Sequence, residues 1–175
     1  EFMLPVASRE RQISGERTMR VADLASVFGR HADSDFKRSY ASRLEQLRFD
    51  PLAGYLRGYV DLVFEWNDRF YVVDYKSNHL GPSPAHYEPS QLERPMSENH
   101  YVLQYHLYTV ALDRYLSLRL PDYDYERDFG GVYYLFLRGI DPAHPTGCGV
   151  YYDRPAHDMI ADLTSVLRAP EGAQP

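Results

Sequence analysis

A single cysteine, Cys148, is all the thiol chemistry this sequence carries. An internal disulfide is therefore impossible, and a cysteine-ligated zinc site has no ligands to draw on. The seven histidines are scattered without an H-x-x-x-H or other ligand spacing and read as ordinary surface or core residues. No apolar run is long enough to span a membrane, and the first residues do not read as a signal peptide, so a cytoplasmic protein is expected. No G-x-x-x-x-G-K-[ST] loop is present, which excludes an ATP-driven motor of that type within these residues. Positive charge is also in short supply: 19 Lys and Arg against 25 Asp and Glu leave a net charge of −6. Clustered basic residues normally supply phosphate contacts, so this balance argues against a free-standing, affinity-driven nucleic-acid binder.

What the chain does have is apolar and aromatic mass. Hydrophobic residues make up 44% of its 175 positions, with sixteen Tyr and eight Phe, enough to fill the core of one domain. The most informative stretch runs from Arg57 to Asn78, RGYVDLVFEWNDRFYVVDYKSN. Two alternating runs, Gly58–Phe64 and Phe70–Lys76, flank Asn67-Asp68, residue types that tolerate the positive φ of a tight turn. A two-residue turn there pairs Trp66 with Arg69, Asp61 with Asp74 and Tyr59 with Lys76. Residues two apart share a strand face, so Asp61, Asp74 and Lys76 are expected on one side.

Directly opposed side chains have Cβ atoms ~4.5–5.5 Å apart, where like charges destabilise the pair. Asp61 and Asp74 therefore need a compensating partner, and a divalent cation that prefers oxygen ligands suits them. The competing reading is a solvated strand face with surface ion pairs. Tyr59, Val63 and Val72 fall on the same face and argue against it, because unpaired charge among apolar groups is costly.

The ordered set G-x-x-D, D-x-K and Gln104-Tyr105-x-Leu107-Tyr108 resembles the nuclease motifs of the PD-(D/E)xK superfamily. With the flanking text DLVF, DYKSN, QYHLYTVALDRYL, DYDYE and FGGVYYLFLRG, it is most similar to the RecB-type nucleases of RecBCD-type helicase–nucleases. The resemblance covers nearly the whole chain. It implies an α/β, restriction-endonuclease-like fold, a mixed central sheet flanked by helices. It also implies a Mg²⁺-dependent exodeoxyribonuclease acting in double-strand-break repair on DNA unwound by motor subunits. Asp61, Asp74 and the Tyr75 carbonyl would be metal ligands, with Lys76 as transition-state stabiliser and Gln104 and Tyr108 beside them. Partners implied are DNA, RecC- and RecD-like subunits and the recombinase RecA. Delivery of DNA by a larger machine also answers the objection from acidic charge.

One departure limits the match. Family members usually supply a further metal ligand from a helix before the first strand, whereas this sequence opens at what reads as that strand. The chain alone is therefore expected to bind Mg²⁺ weakly and to cut DNA poorly. Two readings of other classes compete: a docking module that contacts RecA and assists its loading on single-stranded DNA, and a single-strand-binding domain built on Tyr stacking.

The remaining pattern is scaffold. Glu1–Val6 reads as a strand. Thr18 caps a helix through His31 with Val21, Leu24, Val27 and Phe28 on one face, and Ser34 caps a second with Phe36, Tyr40, Leu44 and Leu47. Asp50-Pro51 ends it. The proline-punctuated stretch 79–99 reads as a long connection that covers the site or guides DNA past it, or equally as a plain mobile loop. A helix over 99–118 follows, with Leu103, Leu107, Val110 and Leu112 toward the core and Gln104 and Tyr108 on one face. Pro121 and DYDYERD lead to strands at 130–138 and 149–152. A last helix over 156–168 carries Met159, Ile160, Leu163, Val166 and Leu167. One nuclease domain, 1–168, with a disordered tail, 169–175, is the expected organisation.

Overall fold

Alternating apolar strands need a covered face, and the amphipathic helices supply it. The computed structural model describes residues 1–6, 20–47 and 54–167. Thr18, Asp50-Pro51 and the tail 169–175 lie outside the described residues. The chain forms two compact units, Glu1–Gly58 with Ala156–Pro175, and Tyr59–Pro155. Among the described residues no helix is long and apolar enough to cross a membrane.

In the first unit, β1 (Phe2–Val6) pairs antiparallel with β2 (Gly54–Gly58). Helix α1 (Val21–Arg30) buries Leu24, Ala25, Val27 and Phe28, and α2 (Asp35–Leu44) buries Tyr40, Ala41 and Leu44. Ser34 caps α2 as expected, its hydroxyl accepting from the Lys37 N–H at 3.2 Å. Helix α1 starts later than the Thr18 reading, after Arg20, whose N–H donates to the Asp23 carboxylate at 3.0 Å. Phe28 and Tyr40 meet edge to face at 5.6 Å. Helix α6 (His157–Leu167) buries Met159, Ile160, Leu163 and Leu167 and packs against α1 and β1. His31 Nε2 lies 2.9 Å from Asp162 Oδ2, and Arg30 reaches the same oxygen at 3.2 Å.

The second unit is a four-stranded mixed sheet in the order β3-β4-β5-β6, with helices packed on it. Strands β3 (Leu62–Trp66) and β4 (Arg69–Lys76) form the hairpin, in the register Trp66↔Arg69 through Leu62↔Val73. Asn67 and Asp68 both take positive φ, 49° and 60°, the geometry of the two-residue turn that the sequence indicates. The ladder stops at Leu62↔Val73, however, so the run Gly58–Phe64 is not one strand. Gly58 ends β2, where a Cβ would meet the Phe2 ring at 2.3 Å. Residues 59–61 belong to no strand, and Tyr59 does not face Lys76 across a ladder.

Strand β4 pairs parallel with β5 (Phe129–Phe136), which pairs antiparallel with β6 (Val150–Asp153). The stretch 79–99 is not an open connection. It forms a short 3-10 turn, Pro84–Tyr87, and a ten-residue helix α3 (Pro89–Glu98). Pro84 and Pro89 open these elements, where a missing N–H costs nothing and a fixed φ helps. Pro95 lies inside α3, yet it is buried with Leu92 and Met96, and that packing offsets the lost hydrogen bond. His100 at φ 54° separates α3 from the 19-residue helix α4 (Tyr101–Arg119). Helix α4 buries Val102, Tyr105, His106, Tyr108, Thr109, Val110, Leu112 and Leu116, while Leu103 and Leu107 are only half-buried. DYDYERD contains a single turn, α5 (Tyr125–Asp128), capped by Asp124.

Two outcomes are expected from this fold. Replacing Asn67 or Asp68 by Ala lowers stability by about 1 kcal/mol each, read from urea unfolding, because a Cβ-bearing residue without a short polar side chain resists positive φ. Asp68→Gly keeps or raises stability in the same assay. The His31 contact holds the Asp162 carboxyl below the usual carboxylate range. Its stabilising contribution is therefore present above that range and is lost as pH falls through the lowered value. Asp162→Asn is expected to lower the melting temperature at neutral pH and to lose that effect in acid.

Candidate active site

Strand β4 is interior to the sheet, and its alternation sends Val72, Asp74 and Lys76 to one face. The parallel register continues that face onto β5, with Val72↔Val132, Asp74↔Tyr134 and Lys76↔Phe136 as neighbours. Helix α4 packs over it: Tyr101 meets Tyr134 and Phe136 at ring distances of 5.8 and 6.5 Å, and Tyr105 meets Tyr134 at 5.9 Å. The charged pair of the D-x-K strand is thereby buried, Asp74 being 4% and Lys76 9% exposed.

Burying an ion pair is costly unless every remaining donor and acceptor finds a partner. Here the partners close a ring. Lys76 Nζ is ion-paired with Asp74 Oδ1 and donates to Gln104 Oε1 at 3.0 Å. Gln104 Nε2 donates to the Tyr108 hydroxyl at 2.7 Å. Tyr108 in turn hydrogen-bonds to Asp74. Tyr134 adds a fifth member, its hydroxyl donating to Gln104 Oε1 at 3.0 Å. Gln104 and Tyr108 sit one helical turn apart, which lets one helix serve both ends of the strand motif.

Asp61 stands at the margin of this ring. It is one residue beyond the end of β3 and exposed. Its Oδ2 accepts the Tyr75 N–H at 2.9 Å, so a side chain continues where the backbone ladder stops. The expected opposition of Asp61 and Asp74 thus takes the form of adjacency at the ladder's end. The apolar setting expected around both carboxylates holds for Asp74 only: Val72 is buried, whereas Tyr59 and Val63 are 57% and 41% exposed. The Tyr75 side chain is also exposed, on the opposite face.

The electrostatics follow this geometry. Burial pushes the Asp74 carboxyl above its ordinary range; Lys76 pulls it back, and the Asp61 charge pushes it up again. Burial, then the charges of Asp74 and Asp61, push the Tyr108 hydroxyl up to about 12, so it keeps its proton at neutral pH and can donate to Asp74. Burial first, then the Asp74 charge, raises the Tyr134 hydroxyl further, with Tyr108, Tyr101 and Asp61 adding smaller pushes in that order. Among the described residues no group of three or more His, Cys, Asp or Glu side chains is placed to hold a metal ion. Two carboxylates and main-chain carbonyls are the oxygen donors at hand, a hard donor set that suits a small divalent cation.

Sequence reasoning missed Tyr101, Tyr134 and Asn78. Tyr101 lies three residues before Gln104, on the same stretch of helix, and that spacing is the one signal available for it. Tyr134 joins the site through strand pairing alone.

The ring makes a stability prediction independent of activity. Lys76→Met strands a buried carboxylate and is expected to cost about 3 kcal/mol. Adding Asp74→Asn should recover part of that loss, giving a coupling energy above about 1 kcal/mol in a double-mutant cycle of urea unfolding. Strictly additive losses would mean the pair is not an energetic unit.

Comparison with known proteins identifies the family. A family profile described as PD-(D/E)XK nuclease superfamily matches residues 3–168. RecBCD enzyme subunit RecB of Haemophilus influenzae is 49% identical over 123 residues, covering 70% of this chain and 10% of that protein. The protein of the same name from Escherichia coli K12 is 47% identical over 135 residues, 69% of this chain and 11% of its own length. The RecB of Mycolicibacterium smegmatis is 35% identical over 184 residues, 97% of this chain and 17% of its own. The chain thus spans between a tenth and a fifth of the length of these relatives. A four-stranded mixed sheet with helices packed on it is consistent with the restriction-endonuclease-like fold, and with the match over 3–168 it establishes that this chain belongs to the PD-(D/E)XK nuclease superfamily, whose members use divalent metal ions.

Proposed function

We propose that the chain is the nuclease part of a RecBCD-type helicase–nuclease and hydrolyses phosphodiester bonds of unwound DNA with Mg²⁺. The observation that carries this reading is the closed ring of Asp74, Lys76, Gln104 and Tyr108 with Asp61 at its edge. The name RecBCD enzyme subunit RecB on the relatives supports the assembly context. By the same reading its partners are DNA, RecC- and RecD-like subunits and RecA, its role is double-strand-break repair, and its compartment is the cytoplasm.

Asp61, Asp74 and the Tyr75 carbonyl would hold the cation, which when bound offsets the charge developing on phosphate and makes attacking water more acidic. The chain's own residues do the rest. Asp61 is tied to the Tyr75 N–H, which fixes its carboxylate beside the D-x-K strand. Gln104 holds the Lys76 ammonium away from a purely Asp74-directed pose, leaving a fixed positive charge for the phosphoryl oxygens of the transition state. Tyr108 accepts from Gln104 and donates to Asp74, keeping that carboxylate oriented through the reaction. Water is kept off the Asp74–Lys76 pair by Val72, Val132 and Phe136, so the electrostatic terms act at low dielectric.

The test uses the full helicase–nuclease assembly. Asp74→Ala and Lys76→Ala are each expected to reduce cutting of linear duplex DNA at least ~1,000-fold while ATP-driven unwinding proceeds at the parent rate. Full cutting by Asp74→Ala would sink the assignment.

A further inference from the structure

We infer that Tyr101 is a positioning residue for the Lys76 ammonium, acting through its ring face and anchored by Asn78; the inference rests on the nuclease reading of this site. The Tyr101 ring centroid lies 3.9 Å from Lys76 Nζ, closer than that of Tyr134 at 4.8 Å. An ammonium has three N–H directions. Asp74 and Gln104 take two of them, and the Tyr101 face meets a third side. Lys76 is 9% exposed, so little water competes, and attraction between a cation and a ring face is strongest when desolvated.

The ring itself is tethered. The Tyr101 hydroxyl donates to Asn78 Oδ1 at 3.1 Å, two residues beyond Lys76 along the chain. The Asn78 main-chain oxygen accepts from the Tyr87 hydroxyl at 3.4 Å, and that hydroxyl accepts from the Leu80 N–H at 3.0 Å. Arg138 Nε donates to the Ser77 carbonyl at 2.9 Å. The segment that leaves the D-x-K strand is therefore held by three side chains, and Tyr101 cannot tilt without breaking the Asn78 bond.

The consequence for chemistry is one of direction. A lysine has four rotatable bonds, and its strongest neighbour here is the Asp74 carboxylate, which pulls the ammonium toward itself. Gln104 and the Tyr101 face pull against that contact. They keep the charge pre-oriented before substrate arrives, so its ordering need not be repeated in the transition state. Without the ring, one side of the ammonium opens to water, and its charge is no longer held in a single direction toward phosphate. A purely packing role for Tyr101, against Tyr134 and Phe136, predicts a stability effect and no such catalytic one.

Two readouts on the full assembly separate these roles. Tyr101→Leu is expected to lower nuclease kcat about 30-fold with KM changed less than about 2-fold. Tyr101→Phe and Asn78→Ala keep the ring and remove only its tether, and each is expected to lower kcat by a smaller factor, about 3-fold. Independently of cutting, trace labelling with an amine-reactive acylating reagent, read by peptide mass spectrometry, should modify Lys76 about tenfold faster in Tyr101→Leu than in the parent or in Tyr101→Phe. Parent-like kcat in Tyr101→Leu, or equal damage in the Leu and Phe variants with unchanged Lys76 labelling, would overturn the inference. Equal cutting by the parent and Asp74→Ala would instead overturn the nuclease reading, and the labelling comparison still decides the placement of Lys76.

Discussion

A carboxylate and an ammonium removed from water in the same few ångströms set the terms for the second unit. Asp74 and Lys76 are both almost fully buried, and their mutual attraction does not by itself repay the loss of hydration. The compensation comes from neighbours that have to be in register. Strand β4 must be interior, β5 must run parallel with Tyr134 beside Asp74, and α4 must present Gln104 and Tyr108 at one helical turn. A slip of one residue in either strand would send the pair to the other face. The chemistry and the architecture thus share one constraint.

The two aspartates divide the work by exposure. Asp74 sits inside the ring, where burial raises its proton affinity and Lys76 opposes that rise. Asp61 lies outside, at the point where the hairpin ladder gives out, and its side chain takes the Tyr75 N–H that a strand carbonyl would otherwise have met. A fully buried second carboxylate would have needed a second cation from the protein. An exposed one remains open to a ligand, and its charge still acts on Asp74 and Tyr108.

Helix α3 shows how tertiary contact overrides local preference. Four prolines between residues 82 and 95 argue for an open connection. Pro84 and Pro89, however, occupy starting positions where proline is favoured, and Pro95 is the one that costs a helical bond. Its ring is buried with Leu92 and Met96 as α3 packs against α4, and that burial belongs to the assembled unit, not to the segment.

The sequence by itself determined the local features. Asn67-Asp68 specify the turn, alternation places Asp74 and Lys76 on one face, Ser34 caps its helix, and Gln104 and Tyr108 share a helical face. Each depends on contacts within a few residues, which composition and spacing express directly. The break between β2 and β3 was not legible, because Gly58 belongs to a ladder with Phe2, 56 residues away in sequence, while Leu62 belongs to one with Val73. Nor was the entry of Tyr134 and Tyr101 into the site, nor the contrast between a buried Asp74 and an exposed Asp61. These were decided only when β5 paired with β4 and α4 closed over them, because burial and long-range pairing depend on which distant surfaces meet.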